Sequence, residues 1–540
     1  TVKLTAVPAE GWEFVGWAGA IESTELEVQL LVSKAEEVNA EFKVSISTYF
    51  FGEILLDFPS NKNINETIPN RETDRFKISE IGWMGLEINE RHSGGAYGTN
   101  PLPPGRFDFS TMNYVKIDFN GDSYEDILFT VEIFPHTINK TSNMGFLALI
   151  NNQDGTFSYG NYLLDAEILN ANHPYRIESA DFNGDGIKDF IASNQGKNGV
   201  SDEGSTYVKA ALPILALSNL DGSYTYSTKS NMIGMNPGDK FYEDYDNDEV
   251  PDWLWHETAS VGDFDNDGDI DIFLTTKIFY NDGKGNFTID GFQFSEELIK
   301  TNQPYSCKVK DLNNDGFADL IYSPTESKKL FVLLSQVSNE VYNYKKLEMP
   351  AGFYGDGTTN FNVITTIDLN NDNYQDILVG TTRINPYYDG STLQLFINNQ
   401  GLSFDDKTTD LIGDQSSFDN YAGQGFIDVV DFDNDGDLDV IHQTASRSYP
   451  TNGSKFYINN NGVLDVLNNS ELLPYIGWRD FQGFEHHYDN PQFNNTDDRF
   501  SVFPINVNNN GWIDFISVVG QKVGGDNTPY NLFYTIESKN

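Results

Sequence analysis

Cysteine and basic residues are scarce in this chain. Cys307 is the single cysteine among 540 residues. This excludes an internal disulfide, and its place in a predicted strand indicates a small packed residue rather than a nucleophile. Lys and Arg together number 34 against 81 Asp and Glu, which gives a net charge of −47. A surface of this sign repels phosphate backbones, so we do not expect nucleic acid as a partner.

Long hydrophobic runs and familiar catalytic motifs are missing too. No stretch of about 18 consecutive apolar residues occurs, so the sequence predicts no membrane-spanning segment. It contains no nucleophile elbow, no phosphate-binding glycine loop and no HExxH zinc motif. The sequence therefore nominates no catalytic residue.

One acidic pattern, in contrast, occurs seven times. It reads Asp-x-(Asp/Asn)-x-Asp-Gly-x-x-Asp and is followed by an apolar run; Ser123 and Asn373 replace the glycine in two copies. The residues at positions 1, 3, 5 and 9 of the seven copies are Asp118, Asn120, Asp122 and Asp126; Asp181, Asn183, Asp185 and Asp189; Asp263, Asp265, Asp267 and Asp271; Asp311, Asn313, Asp315 and Asp319; Asp368, Asn370, Asp372 and Asp376; Asp431, Asp433, Asp435 and Asp439; and Asn506, Asn508, Asn510 and Asp514.

The spacing of the pattern suits a calcium loop. Oxygen ligands at positions 1, 3 and 5 converge, glycine at position 6 permits a sharp turn, and the carboxylate at position 9 closes the shell. Up to about seven Ca²⁺ ions are expected on this basis. The alternative is that these residues form plain polar turns, but seven copies in similar contexts favour metal. The last copy has a single carboxylate, Asp514, so its affinity is expected to be low.

A related acidic string, Asp244 to Asp252, has the same spacing without the glycine. It begins only 19 residues before Asp263, too close for a repeat of its own. We interpret it as an inserted, solvated acidic loop, with an extra cation site as the alternative.

The repeats predict the architecture. β-rich segments flank each loop, and most copies are followed by an apolar strand ending in Asn and Gly, as in a hairpin turn. The interval between copies has room for about four short strands. The sequence therefore predicts an all-β, seven-bladed β-propeller over residues 45–540. Its last blade lacks a fourth strand, which the segment 46–56 is expected to supply.

These residues resemble a known family. The acidic pattern with its flanking strands is similar to the FG-GAP/VCBS repeat, which also builds the propeller of integrin α-subunits, and the resemblance implies Ca²⁺ in the loops between the first two strands of each blade. Residues 1–44, with Gly-Trp-Glu-Phe-Val-Gly-Trp at 11–17, resemble the internalin-type B-repeat, a small all-β module. That resemblance implies a spacer on a bacterial surface protein, and the abrupt start leads us to expect an upstream segment.

Candidate ligand-binding residues come from loops expected on the face opposite the acidic loops, and from a long insertion at 464–499. Aromatic rings with Arg and His donors suit a sugar ring or an extended polymer, although each ring on its own is better explained by packing between blades. The candidates are Tyr175, Arg176, Arg383, Tyr387, Tyr388, His442, Arg447, Tyr449, Trp478 and His487.

Three functions are compatible with this pattern. We favour a non-catalytic, calcium-dependent binding protein that captures extracellular polysaccharide, at the outer surface of a bacterium and in association with an outer-membrane uptake complex. A polysaccharide lyase built on a propeller is the alternative enzyme. A protein-binding adhesin is the third, resting on analogy with integrins alone. Export is favoured because extracellular calcium fills loops of moderate affinity.

Overall fold

The computed structural model of the protein is an all-β structure. It describes residues 2–7, 12–21, 23–30, 38–44, 53–57, 66–67, 75–87, 111–132, 144–169, 171, 174–194, 197–200, 206–209, 211–239, 242–244, 250–251, 254, 258–294, 304–324, 328–338, 341–386, 389–415, 424–445, 455–467, 477–479, 485–487, 499–520 and 531–539.

The N-terminal segment forms two small antiparallel sheets. Its strands are β1 (Val2–Thr5), β2 (Trp12–Gly19), β3 (Glu27–Leu30) and β4 (Val38–Val44), and they pair as β1–β3 and β2–β4. The Trp17 indole donates to the Glu25 carbonyl at 2.9 Å. Gly16 lets Ser23 approach closely, since a Cβ there would lie 3.2 Å from the Ser23 carbonyl oxygen. The segment is thus β-structured, as its sequence predicts.

Three strands precede the repeats and are used by sheets formed far along the chain. They are β5 (Glu53–Asp57), β6 (Glu66–Thr67) and β7 (Phe76–Glu87).

Six four-stranded antiparallel sheets follow, and these are the blades of a propeller. Blade 1 is β8 (Thr111–Ile117), β9 (Asp126–Glu132), β10 (Met144–Asn151) and β11 (Phe157–Tyr159). Blade 2 is β12 (Pro174–Ala180), β13 (Asp189–Asn194), β16 (Ile214–Ser218) and β17 (Tyr224–Tyr226), with the hairpin β14 (Lys197–Val200) and β15 (Thr206–Lys209) between its second and third strands. Blade 3 is β18 (Ala259–Gly262), β19 (Asp271–Leu274), β20 (Lys277–Asn281) and β21 (Phe287–Thr288).

The remaining blades repeat the arrangement. Blade 4 is β22 (Pro304–Lys310), β23 (Asp319–Pro324), β24 (Phe331–Ser338) and β25 (Val341–Glu348). Blade 5 is β26 (Thr359–Ile367), β27 (Asp376–Arg383), β28 (Thr392–Asn398) and β29 (Phe404–Asp406). Blade 6 is β30 (Gln424–Val430), β31 (Asp439–Ala445), β32 (Lys455–Asn459) and β33 (Leu464–Val466).

Helical structure in the described residues is limited to single turns after outer strands. These are a 3₁₀ turn at Asn161–Leu163, α1 (Ala166–Leu169), α2 (Thr228–Asn231) and α3 (Thr408–Leu411). None of the helices in the described part of the chain has the length and apolarity of a membrane span.

The core lies between blades. Buried apolar side chains form a separate cluster at each of the five junctions from blade 1 to blade 6, so blades 2 to 5 bury both of their faces against neighbours. Phe190, for example, packs its ring against Phe146 of blade 1 and is fully buried. The arrangement explains why the strands are apolar on both faces rather than alternating.

Two short strands follow blade 6, β34 (Gly477–Arg479) and β35 (Glu485–His487), and they form a three-stranded sheet with β6. The predicted insertion at 464–499 is therefore partly structural, because its first residues, Leu464–Val466, form the outer strand of blade 6.

The last sheet has five strands. β36 (Arg499–Ile505), β37 (Asp514–Gly520) and β38 (Asn531–Ser538) pair in order, β7 adds beside β38, and β5 adds beside β7. A strand from before the repeats therefore does complete this sheet. However, it is β7, and the segment predicted for that place supplies only the fifth strand, β5.

The prediction of seven blades is wrong, since the structure shows six. The central channel is lined by the innermost strands of blades 1 to 6, and no described residue of β36 lines it. The five-stranded sheet instead packs against blades 1 and 6, where the Phe503 ring stacks on Phe426 and meets Tyr114 edge-on. The count of acidic loops exceeds the count of blades because the seventh loop lies in this sheet.

Candidate functional site

Each acidic loop joins the first two strands of its sheet, as predicted. Two backbone positions in every loop have positive φ: position 6, with φ of 69° to 97°, and position 4, with φ of 56° to 74°. Only glycine, asparagine and, at one place, serine occupy them. The position 4 residues are Gly121, Gly184, Asn266, Asn314, Asn371, Asn434 and Asn509. Gly or Asn recurs at position 4, which the pattern Asp-x-(Asp/Asn)-x-Asp-Gly-x-x-Asp leaves unspecified, and this recurrence is a further sequence signal for the loop.

Loop side chains accept hydrogen bonds from the loop backbone. In the Asp181 copy, its carboxylate accepts from the N–H groups of Asp185 at 3.2 Å and Gly186 at 2.8 Å, and Asp185 accepts from Ile187 at 2.8 Å. The other copies share parts of this pattern. These turns therefore gather oxygen atoms by backbone hydrogen bonding alone.

The position 9 aspartate holds the hairpin together. In all seven copies it is fully buried, and one carboxylate oxygen accepts the position 2 N–H at 2.7 to 3.1 Å. The other oxygen accepts a backbone N–H of the third strand at 2.6 to 2.9 Å. The third-strand donors are Asn151, Ser218, Asn281, Ser335, Asn398, Asn459 and Ser538. This carboxylate is thus a structural bracket, whatever else it binds.

Burial of these carboxylates is costly when they are ionised. Burial raises the pKa of Asp271 to about 8 and that of Asp439 to about 7, although hydrogen bonds from backbone N–H groups oppose the shift. The nearby aspartates at positions 1 and 3 raise both values further. A cation in these loops would offset the repulsion among the carboxylates.

Position 3 divides the loops into two kinds. Where it is asparagine, the side-chain amide donates to the position 5 carboxylate at 3.0 to 3.1 Å, in the copies that begin at 118, 181, 311 and 368. Where it is aspartate, no such donor exists. The Oδ1 atoms of Asp265 and Asp433 are buried and have no hydrogen-bond partner among the described residues. Burial raises the pKa of both carboxyls.

These two loops are the acidic clusters suited to a metal in the described chain. Ligand oxygens of Asp263, Asp265 and Asp267 lie within 4.8 Å of one another, and the second cluster does the same. That cluster contains Asp431, Asp433 and Asp439. Unpartnered buried oxygens beside further carboxylates fit a hard divalent cation such as Ca²⁺.

Neighbouring loops are linked through the side chains at position 4. Asn314 donates its amide to the Asn373 carbonyl at 3.0 Å, in the next loop along the ring. Asn371 donates to the Asp437 carboxylate of the following loop at 2.9 Å. At the ring's closing junction the Asn506 N–H donates to Glu125 at 2.9 Å. Hydrogen bonds therefore join the loops at these three junctions.

Third-strand asparagines add further links between a sheet and its neighbour's loop. The side-chain amides of Asn151, Asn281, Asn398 and Asn459 each donate to the position 2 carbonyl of an adjacent sheet's loop, at 2.7 to 3.3 Å. The sequence marks these residues as hairpin-turn signals, but their contact with the neighbouring sheet depends on the fold.

The predicted ligand-binding residues lie in separate places. Tyr175 and His442 are buried, at 3% and 2% exposure, so they are packed inside the ring. Arg176 lines the central channel. Tyr387, Tyr388, Arg447 and Tyr449 lie outside the described residues, as does most of the acidic string at 244–252, and for Trp478 and His487 only the strands that contain them are described.

Arg383 lies beside aromatic residues that sequence reasoning missed. Its guanidinium is 4.3 Å from the centre of the Tyr354 ring, and Phe353 meets that ring edge-on at 5.1 Å. Arg383 pairs with Thr359, at the end of β26 and β27 away from the Asp368 loop. The aromatic patch (Phe353, Tyr354 and Arg383) is therefore on the face opposite the acidic loops, and Phe353 is exposed. Such a patch can stack on an apolar sugar face and donate hydrogen bonds beside it.

The fold and loops define a β-propeller with repeated acidic hairpins, and comparison with known families agrees. The FG-GAP-like repeat model matches residues 118–192, 263–322 and 368–442, and the divergent InlB B-repeat domain model matches residues 1–46. The chain thus carries FG-GAP-like repeats after an N-terminal divergent InlB B-repeat domain, and the resemblance drawn from its sequence is confirmed.

Comparisons with whole proteins add little. No curated protein matches the chain. The similar solved structures include the crystal structure of exotype rhamnogalacturonan lyase YesX, at 12% identity, covering 83% of this chain and 75% of the other, with a TM-score of 0.35.

Proposed function

We propose that this protein is an extracellular, non-catalytic binding protein that requires calcium for its stability and captures polysaccharide on the propeller face opposite the acidic loops. The aromatic patch is the observation that carries the binding half of this proposal. It joins an exposed ring, a second ring and a guanidinium within contact distance on one edge of blade 5.

The calcium half is supported by the two aspartate-rich loops. Their unpartnered buried oxygens are oriented among carboxylates that raise one another's pKa. Loops with asparagine at position 3 retain ligand oxygens at positions 1 and 5. They would hold Ca²⁺ more weakly, because the ligand oxygen at position 3 belongs to an amide whose nitrogen already donates a hydrogen bond within the loop.

We further propose that residues 1–44 act as a spacer and residues 45–540 as the binding domain. The protein would then act at the outer surface of a bacterium, together with an outer-membrane uptake complex that takes up the captured glycan. Support for this setting comes from the divergent InlB B-repeat domain and from the high negative charge, which suits a soluble exposed surface.

A glycan array, probed in CaCl₂ and again in EDTA, tests the proposal. We expect binding to polysaccharides in CaCl₂, reduced binding in EDTA, and at least tenfold weaker binding by Arg383→Ala and Tyr354→Ala. Lys346→Ala is the matched control, since Lys346 lies 3.8 Å above the Phe331 ring on blade 4, away from the patch. Unchanged binding by both patch variants would remove the patch from the function.

Two further measurements, binding to proteins and absorbance during incubation with uronate polymers, separate the alternatives. Binding only to proteins, with an empty glycan array, would favour the adhesin. New ultraviolet absorbance from unsaturated ends on uronate polymers would show a lyase and would contradict the non-catalytic assignment.

A further inference from the structure

The centre of the ring contains a channel that the acidic loops and the aromatic patch do not use. Its volume is about 280 Å³, and the innermost strands of all six blades line it. This volume is near the lower limit of sites for small organic molecules, which start at roughly 300 Å³. The channel therefore has room for a small molecule and not for a folded chain or a polymer.

The lining of this channel is cationic relative to the rest of the protein. Lys116, Arg176 and Lys308 face two carboxylates, Glu178 and Asp428, in a chain of net charge −47. Concentration of three basic residues in one small space is thus unusual for this composition, and it lowers the electrostatic cost of an anionic occupant.

All of these charged groups but one have either a charged partner or two side-chain hydrogen bonds. Lys308 forms an ion pair with Glu178 at 2.7 Å, and Lys116 pairs with Glu125 at 3.2 Å. Asp428 accepts a hydrogen bond from the Tyr114 hydroxyl at 2.5 Å and another from the Gln443 amide at 2.9 Å. These four groups are therefore occupied within the protein.

Arg176 is the exception. Its guanidinium donates to the Asn362 carbonyl at 2.6 Å and lies over the Tyr175 ring, and no carboxylate of the described residues is within ion-pair distance. The bond to Asn362 crosses the channel from blade 2 to blade 5, and an irregularity in β12 between Pro174 and Ile177 accompanies it. Five N–H donors on a half-buried cation are thus served by a single neutral acceptor, which leaves the charge uncompensated.

A second polar group in the channel also lacks a good partner. Thr258 is 1% exposed and lines the channel at the start of blade 3, adjacent to the strand that carries Arg176. Its hydroxyl oxygen has no conventional hydrogen-bond partner among the described residues. The nearby Cys307 thiol offers at best a weak interaction. A buried hydroxyl without a partner is costly, so a ligand oxygen at this place would be favourable.

We propose that the central channel binds a small molecule with one carboxylate group, which Arg176 holds through its guanidinium fork and Thr258 contacts through its hydroxyl. A planar carboxylate matches the parallel N–H pair of arginine, and a single unpaired cation matches a monoanion better than a multiply charged phosphate. The carboxylate belongs either to a free organic acid or to a single acidic sugar. This site is independent of the polysaccharide surface on blade 5.

Calorimetric titration of the whole protein in CaCl₂ with sodium galacturonate, sodium acetate and galactose tests this proposal. We expect one galacturonate per chain and no heat from galactose. Equal binding of acetate would mean that the carboxylate alone is recognised, and binding of galacturonate alone would identify an acidic sugar. Binding of galactose as tight as galacturonate, or no binding by either carboxylate, overturns the proposal.

Variants locate the site. Arg176→Gln should weaken galacturonate binding at least tenfold, Arg176→Lys should weaken it less because the charge remains, and Thr258→Val should weaken it several-fold. Lys346→Gln, on the outer strand of blade 4 and away from the channel, is the control and should bind galacturonate like the wild type. If Arg176→Gln does not fold, Arg176→Lys and Thr258→Val decide, and unchanged affinity in both overturns the assignment. If Arg383→Ala loses binding to the arrayed polysaccharides but still binds galacturonate, the channel site and the polysaccharide surface are distinct.

Discussion

The acidic loops of blades 3 and 6 differ from those of blades 1, 2, 4 and 5 by one atom type at position 3. In blades 1, 2, 4 and 5 the amide nitrogen at position 3 donates a hydrogen bond to the position 5 carboxylate of the same loop. An oxygen at the same place, in Asp265 and Asp433, is buried and has no hydrogen-bond partner in the part of the chain that the structure describes. The backbone turns are otherwise alike. The comparison teaches that the same loop can be self-sufficient or dependent on a cation, according to one side chain.

The largest expected effect concerns what the two kinds of loop share. In EDTA, Asp271→Ala in blade 3 and Asp376→Ala in blade 5 should each lower the free energy of unfolding by about 2–5 kcal/mol, because two buried N–H groups lose their acceptor. Urea unfolding measures this. Asp405→Ala, at an exposed position on β29, is the control and should change it little. A loss of stability in only one kind of loop would contradict the interpretation that the position 9 aspartate is a structural bracket in both kinds.

Replacing the two position 3 aspartates by asparagine tests the difference between the two kinds of loop directly. The double variant Asp265→Asn/Asp433→Asn should gain about 2 kcal/mol in EDTA, since each new amide can donate to its position 5 carboxylate. It should also lose most of the rise in melting temperature that CaCl₂ gives the wild type. Thermal melts with CaCl₂ and with EDTA check both. A variant that keeps the full calcium-dependent rise would show that these two loops are not the principal cation sites.

The reverse exchange should convert a self-sufficient loop. Asn370→Asp in blade 5 is expected to lower stability in EDTA by about 1 kcal/mol and to add one tight Ca²⁺ per chain in calorimetric titration. Asn508→Asp is the matched control, because its loop would still have asparagine at positions 1 and 5. An equal gain of calcium in both variants would argue against carboxylate number as the cause.

The smallest effect tests whether the loops act separately. Asn371→Gly keeps the positive φ of 57° but removes the bond to Asp437, and should cost about 0.5–1 kcal/mol. Asn434→Gly is the control at the same loop position, with φ of 59°. Chemical denaturation in EDTA compares the two. A loss of stability as large in the control would assign the effect to the backbone instead of the contact between loops.

Local features were predictable from the sequence to a large extent. The acidic loops, the strands around them and the hairpin turns that follow depend on neighbouring residues, on turn chemistry and on runs of apolar side chains. Position 4 could have been recognised as a second positive-φ site, because Gly or Asn stands there in each copy. The functional residues of the aromatic patch carry no such repeated signal, so Phe353 and Tyr354 were found only through their contact with Arg383.

The role of position 9 could not be predicted from the sequence, for the same reason that the number of blades could not. The Asp189 carboxylate takes its second hydrogen bond from Ser218, 29 residues further along, and that pairing exists only once the third strand is in register. Likewise, counting repeats could not show that β7 and β5, which precede all of them, would join the last sheet.

By itself the sequence determined the repeated hairpin, its oxygen-rich turn and the small β-module before it, because each depends on φ preferences and side-chain hydrogen bonds within about ten residues. Tertiary structure alone decided that six blades surround the channel. It also decided that, among the described residues, Asp265 and Asp433 are left with unpartnered oxygens and Arg176 faces the axis without a carboxylate in ion-pair distance. These are outcomes of burial and of contacts between distant strands, and no local preference specifies them.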